Sequence, residues 1–181
     1  LPSLLAPVGR SKLMQGLRER AQQYARHNGP VLMSGEPGTG RGAFARYMHG
    51  LSRRADEPLT TLSAASLTES NYEEQLLGTV SDGEVMAGAF ERASGGTLVI
   101  DELTDLSTSA QRVLFGVLES GNYTPIGGTS PVKLDARIVA TVAPDYEARI
   151  EAGELRRDLV SHLGELMLRI PPLREYAEDV P

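Results

Sequence analysis

The sequence has no cysteine and no tryptophan, and aromatic residues make up only 5% of its 181 positions. Without cysteine there is no disulfide framework, no thiolate metal site and no cysteine nucleophile, a composition that suits a reducing compartment. Few aromatics means no stacking platform for single strands, and 18 Lys and Arg against 24 Asp and Glu, a formal charge of −6, leaves no basic stripe for a duplex. DNA contact is expected only through a domain absent from this chain. No apolar run approaches the roughly 20 residues of a membrane span, and the first nine residues lack the charged and apolar regions of a signal peptide. The expectation is no membrane contact and a cytoplasmic location. The chain begins at Leu1 and stops at Pro181, so it reads as one domain, residues 1–181, cut from a longer protein.

Hydrophobic residues at 40% and charged residues at 23% are sufficient for a buried core. From Ser11, a candidate N-cap, Leu13, Leu17, Ala21 and Tyr24 recur at helical spacing until Asn28-Gly29-Pro30. Residues 31–33 read as a buried strand, followed by a glycine-rich turn and then Phe44, Tyr47, Met48 and Leu51 on one helical face. Residues 59–62 read as a second strand, 72–77 and 84–93 as helices, and 97–102 as a strand ending in acid. Thr108 or Ser109 caps a helix that Gly121 ends; residues 136–142 are a strand, and helical patterns return near Glu147 and over 156–163. Met14, Met33, Met48 and Met86 are expected in the core. Alternating buried strands and helices without repeats predict an α/β fold, a parallel sheet sandwiched between helices.

The turn is Gly35-Glu36-Pro37-Gly38-Thr39-Gly40-Arg41-Gly42, with Gly35 and Gly40 at the spacing of the phosphate loop G-x-x-x-x-G-K-[ST]. Between a strand and a helix, such a turn closes backbone N–H groups around phosphates at the positive end of the helix. The last two motif positions depart: Arg41 replaces lysine, and Gly42 replaces the hydroxyl that holds Mg²⁺. Asp101-Glu102 ends a buried strand downstream, where phosphoryl-transfer sites place a metal-holding Asp and an acid that activates water. These features point to nucleotide binding, ATP or ADP, with weakened dependence on Mg²⁺ and impaired turnover, because a planar guanidinium does not replace a compact ammonium.

The chain resembles the AAA+ P-loop core of bacterial σ54-dependent activators. Four blocks match in order: Val8-Gly9-Arg10-Ser11, the loop from Gly35, Gly95-Gly96-Thr97-Leu98-Val99-Ile100-Asp101-Glu102-Leu103, and Arg169-Ile170-Pro171-Pro172-Leu173-Arg174-Glu175. The loop sequence is most similar to the NtrX type of nitrogen-regulation response regulator, part of a two-component system. The resemblance implies a three-layer αβα sandwich, here without the small helical lid. It assigns phosphate cradling to Gly35 through Arg41, with Gly42, Val8 and Gly9 also at the nucleotide, Mg²⁺ to Asp101, water polarisation to Glu102, and an arginine finger reaching a neighbouring subunit to Arg156.

Other family positions differ. The Asn that restrains the catalytic Glu falls at Ser63, the sensor Asn at Ala143, and a second arginine finger at His162. The Gly-Ala-Phe-Thr-Gly-Ala loop that grips σ54 should lie between Gly78 and Gly95, yet Gly88-Ala89-Phe90-Glu91-Arg92-Ala93 matches a later family block, so the loop reads as deleted. His162 reads as a surface histidine, Arg46 as a surface arginine, and Arg53-Arg54-Ala55-Asp56-Glu57 as a solvated connection. The expectation is a nucleotide-binding regulatory module that self-associates as a dimer or ring-like oligomer. The alternative is an active ATPase that remodels σ54 RNA polymerase holoenzyme, and a third possibility is a dimerisation scaffold with an empty pocket.

Overall fold

The computed structural model describes residues 12–172. The elements are α1 (Lys12–Ala25), β1 (Val31–Ser34), α2 (Arg41–Leu51), β2 (Leu59–Ser63), α3 (Tyr72–Leu77), β3 (Thr79–Ser81), β4 (Glu84–Met86), α4 (Ala89–Arg92) and β5 (Thr97–Asp101). They continue with α5 (Thr108–Ser120), β6 (Asn122–Tyr123), β7 (Val132–Lys133), β8 (Arg137–Val142), α6 (Tyr146–Glu151), α7 (Arg157–Leu163) and β9 (Leu166–Arg169). Ser11, the expected cap of α1, lies outside the described residues.

Five strands form a parallel sheet in the order β2-β5-β8-β1-β9. Every residue of β1 and β8 is buried, as a parallel strand covered on both faces requires. Alternation then divides the core. Val31, Met33, Val99 and Val139 pack with Met14, Leu17 and Ala21 of α1 and Phe44 and Met48 of α2. Leu32, Leu98, Ile100, Ile138 and Ala140 pack on the other face with Leu76, Phe90, Leu114, Leu159 and Leu163. Because the strands are parallel, the carboxyl ends of β1, β5 and β8 converge on one edge, where open α/β sheets bind ligands.

The α5 cap is Ser107, one residue earlier than expected; its Oγ accepts from the Ala110 N–H at 3.1 Å, and Gly121 ends the helix at φ 74°. The stretch expected as one helix over residues 84–93 is divided. Asp82 and Gly83, with φ of 51° and 80°, make a two-residue turn, so Glu84–Met86 pairs antiparallel with β3 and only Ala89–Arg92 is helical. Local turn chemistry thus overrode a helical spacing of apolar residues. Met86 consequently points away from the core and is 72% exposed, whereas Met14, Met33 and Met48 are buried. The residue 53–57 connection is not wholly solvated either: Arg54 pairs with Asp135 at 3.1 Å and with Asn28 at 3.2 Å. Arg137, buried at the start of β8, donates to the carbonyls of Gly29 and Tyr24; burial, then repulsion from Arg54, lowers its pKa to about 10. It therefore remains charged at neutral pH and ties β8 to the α1–β1 turn.

Candidate functional site

The glycine loop leaves β1 and turns into α2. Its first N–H, on Gly35, donates to the Val142 carbonyl at 3.0 Å, and both the N–H and hydroxyl of Thr39 donate to the Glu36 carbonyl. Gly38 and Gly40 take φ of 84° and 93°, left-handed values that side-chain-bearing residues rarely adopt. Gly40 is the N-cap of α2. First-turn N–H groups of a helix have no intrahelical acceptor, and with the helix dipole they form an anion site.

Arg41, the first residue of α2, is only 7% exposed. Its Nη1 donates to the Gly35 carbonyl at 3.0 Å and to Glu102 Oε2 at 2.9 Å, and its Nη2 reaches Asp101 Oδ1 at 3.4 Å. A planar fork makes these three contacts from two nitrogens. The acidic strand end is shorter than expected: β5 stops at Asp101, and Glu102 turns out at φ 65°, an uncommon conformation for a non-glycine residue. It is held there by its surroundings. The Glu102 N–H donates to Thr141 Oγ1 at 2.9 Å, and Glu102 Oε1 accepts from Thr104 Oγ1 at 2.8 Å and from the Ala143 N–H at 3.2 Å. The Thr141 hydroxyl donates in turn to Asp101 Oδ1 at 2.8 Å. Both oxygens of Glu102 are thus engaged.

A divalent cation does not fit these residues. Asp101, expected to hold Mg²⁺, meets a guanidinium, and Gly42 offers no hydroxyl. Among the described residues no group of three or more His, Cys, Asp or Glu side chains is arranged to hold a metal. A cavity of about 730 Å³ opens beside Gly38, Gly40 and Asp101, walled by Leu59, Thr61 and Val99. Exposed Arg46 lines it as well.

The structure brings together the loop, Arg41, Asp101 and Glu102, but Arg156 is engaged elsewhere. At the N-cap of α7 it grips Asp158 through Nε at 2.9 Å and Nη2 at 2.7 Å, and it lies 5.5 Å from the Phe115 ring centroid. That grip holds the Asp158 carboxyl below its ordinary pKa. His162 is exposed and sits edge-on to Phe115 at 6.3 Å. Ser63 ends β2 in register with Asp101. Val8 and Gly9 lie outside the described residues. Sequence reasoning missed Thr141, Thr104 and the Ala143 N–H. Thr141 comes beside Asp101 because β5 and β8 are parallel neighbours, a pairing that only the structure gives.

The five-stranded order with a glycine loop after its fourth strand matches solved P-loop proteins. The P-loop NTPase domain of the Sigma-54 transport activator from E. coli superposes with a TM-score of 0.62 at 23% identity, over 92% of this chain and 99% of that one, which establishes the AAA+ P-loop fold. A model of the Sigma-54 interaction domain matches residues 7–169. The chain belongs to that family. Within the σ54-interaction family it is similar to the DNA-binding transcriptional regulator NtrC of Bradyrhizobium sp. (strain RP501 Parasponia), 38% identical over 96% of this chain and 37% of the regulator. NtrX from Brucella abortus, solved in complex with ADP, has a TM-score of 0.89 and 35% identity over 96% of this chain and 39% of that one. The same protein has been solved in complex with ATP. The chain thus spans well under half the length of these regulators. Among the described residues no helix is long and apolar enough to cross a membrane.

Proposed function

We propose that this chain is the nucleotide-binding core of a transcription regulator, which holds ATP or ADP at its glycine loop with little or no hydrolysis. The observation that carries the reading is Arg41, buried and bonded at once to the loop carbonyl of Gly35 and to both strand-end carboxylates. Backbone N–H groups of the loop and the first turn of α2 supply the phosphate cradle, and Arg41 supplies fixed positive charge beside it. The phosphates lie against Gly38, Gly40 and Arg41. Hydrolysis requires a carboxylate lone pair aimed at water, and the oxygens of Glu102 are shared among Arg41, Thr104 and Ala143. The ADP and ATP complexes of Brucella abortus NtrX support a nucleotide rather than an empty scaffold. Calorimetric titration of the chain with ATP and with ADP is expected to release heat. No heat and no thermal shift with either, at roughly millimolar nucleotide, a concentration that still detects a Kd of that order, would refute the reading.

The second part of the reading concerns σ54. Between α3 and α4 the chain holds only β3, the Asp82-Gly83 turn and β4, which supports deletion of the gripping loop. Regulation then proceeds by self-association, as a dimer or ring, and by DNA occupancy through a domain outside this chain. The full-length protein is expected to form no open complexes with σ54 polymerase on a σ54 promoter. Nucleotide-dependent open complexes there would favour the rival reading of an active ATPase, which rests on the retained Asp101, Glu102 and Arg156. Against that rival stand the engagement of both acids by Arg41 and of Arg156 by Asp158.

A further inference from the structure

We propose that Arg41 takes the place of a divalent cation, so that the phosphate loop accepts its nucleotide metal-free. This rests on the nucleotide reading above and concerns how the same site balances its charge. A polyphosphate placed beside two carboxylates needs positive charge between them, because unscreened like charges at these separations repel strongly. In phosphoryl-transfer sites a metal ion supplies that charge, held by a hydroxyl on the first turn of the helix and by the strand-end Asp. Here the hydroxyl position is Gly42. At the Asp position one oxygen is engaged: Asp101 Oδ1 accepts from Thr141 at 2.8 Å and meets Arg41 Nη2 at 3.4 Å.

Arg41 has the properties the role requires. It is 7% exposed and tethered at a third point, the Gly35 carbonyl, so it cannot leave as a solvated ion does. It also spans the two carboxylates from separate nitrogens, at 2.9 Å to Glu102 and 3.4 Å to Asp101. Mg²⁺ requires near-octahedral oxygen ligation at about 2.0–2.1 Å. Bound to Asp101 it would sit beside the Arg41 guanidinium, two cations facing each other in a partly buried site. The acid pair therefore retains Arg41, and the phosphates meet backbone N–H groups and a guanidinium instead of a metal.

The test is calorimetry of the 181-residue chain with ADP and with ATP, each in EDTA and in excess Mg²⁺. The expected result is a Kd in EDTA within about fivefold of that in Mg²⁺, a difference small on the scale of tenfold steps. The double variant Arg41→Lys, Gly42→Thr restores the loop consensus and is expected to bind at least about tenfold more tightly with Mg²⁺ than without. Wild-type binding that weakens by more than about fivefold in EDTA overturns the inference while leaving nucleotide binding intact. Absence of binding in both buffers overturns the nucleotide reading itself. The wild-type comparison is decisive even if the variant does not fold.

Discussion

ATP turnover by the wild-type chain is expected to remain at background, and Glu102→Gln is expected to change it little. In a working site that substitution removes the group that orients the attacking water. Here Glu102 is already bound by Arg41 through Oε2 and by Thr104 and the Ala143 N–H through Oε1, so on the proposed reading the change replaces one structural acceptor oxygen and removes no working base. On the same reading the transition-state side of the site is depleted as well. Ala143 contributes only its backbone, His162 faces Phe115, and the guanidinium of Arg156 is clamped by Asp158. An arginine finger is worth about 10³ to 10⁵ in rate where one operates. The combined variant Arg41→Lys, Gly42→Thr, Ala143→Asn, His162→Arg is therefore expected to gain at least about 10³-fold in turnover where it oligomerises, the lower end of that range. A phosphate-release assay decides the matter. A wild-type rate of roughly 1 s⁻¹ that collapses in Glu102→Gln would establish a competent ATPase.

Gly96→Ala is expected to produce the largest loss of stability of any single methyl addition to the sheet. A Cβ at Gly96 would lie 1.8 Å from the Pro58 carbonyl oxygen, and that oxygen also accepts the Thr97 N–H at 2.9 Å. The Gly96 carbonyl accepts from the Arg137 N–H at 2.9 Å, so Gly96 and Thr97 together fasten the starts of β2, β5 and β8. No side-chain rotation relieves a backbone clash of this kind. The expected cost is about 3 kcal/mol, the upper end for overpacking. In a domain of this size that corresponds to a midpoint lower by roughly 6–12 °C in thermal unfolding. Gly16→Ala is the control. It lies on the exposed face of α1 with nothing within 4 Å of the added carbon, and is expected to stabilise by about 0.5–1 kcal/mol. A Gly96→Ala protein that melts with the wild type would show that the β2–β5 approach is looser than the backbone separation requires.

Helix and strand periodicity made most of the fold legible. Leu17 and Ala21 lie on the buried face of α1 as their spacing predicts, although Leu13 of the same pattern is 40% exposed and Met14 packs in its place, and the uninterrupted runs at β1, β5 and β8 could be satisfied only by a sheet covered on both faces. The segment that failed was 84–93, where Val85, Met86, Ala89 and Phe90 fit a helical spacing but Asp82-Gly83 set a hairpin first. A two-residue turn acts on its immediate neighbours, and so it prevailed over a pattern that needed ten residues to agree.

For the site, the amino-acid sequence by itself determined the chemical inventory: a glycine loop between a strand and a helix, arginine in place of lysine, glycine in place of a hydroxyl, and two acids at the end of a buried strand. What those groups do to one another was decided only by the tertiary structure. Arg41 and Glu102 are 61 positions apart and meet because β1 and β5 both flank β8 in a parallel sheet, which brings their carboxyl ends to one edge. Thr141 and the Ala143 N–H join them from β8 and the turn beyond it, through contacts with no sequence signature because a hydroxyl in a strand and a backbone N–H are commonplace. Side-chain identity is a local property of the chain, but the pairing of charges depends on distances that strand order alone sets.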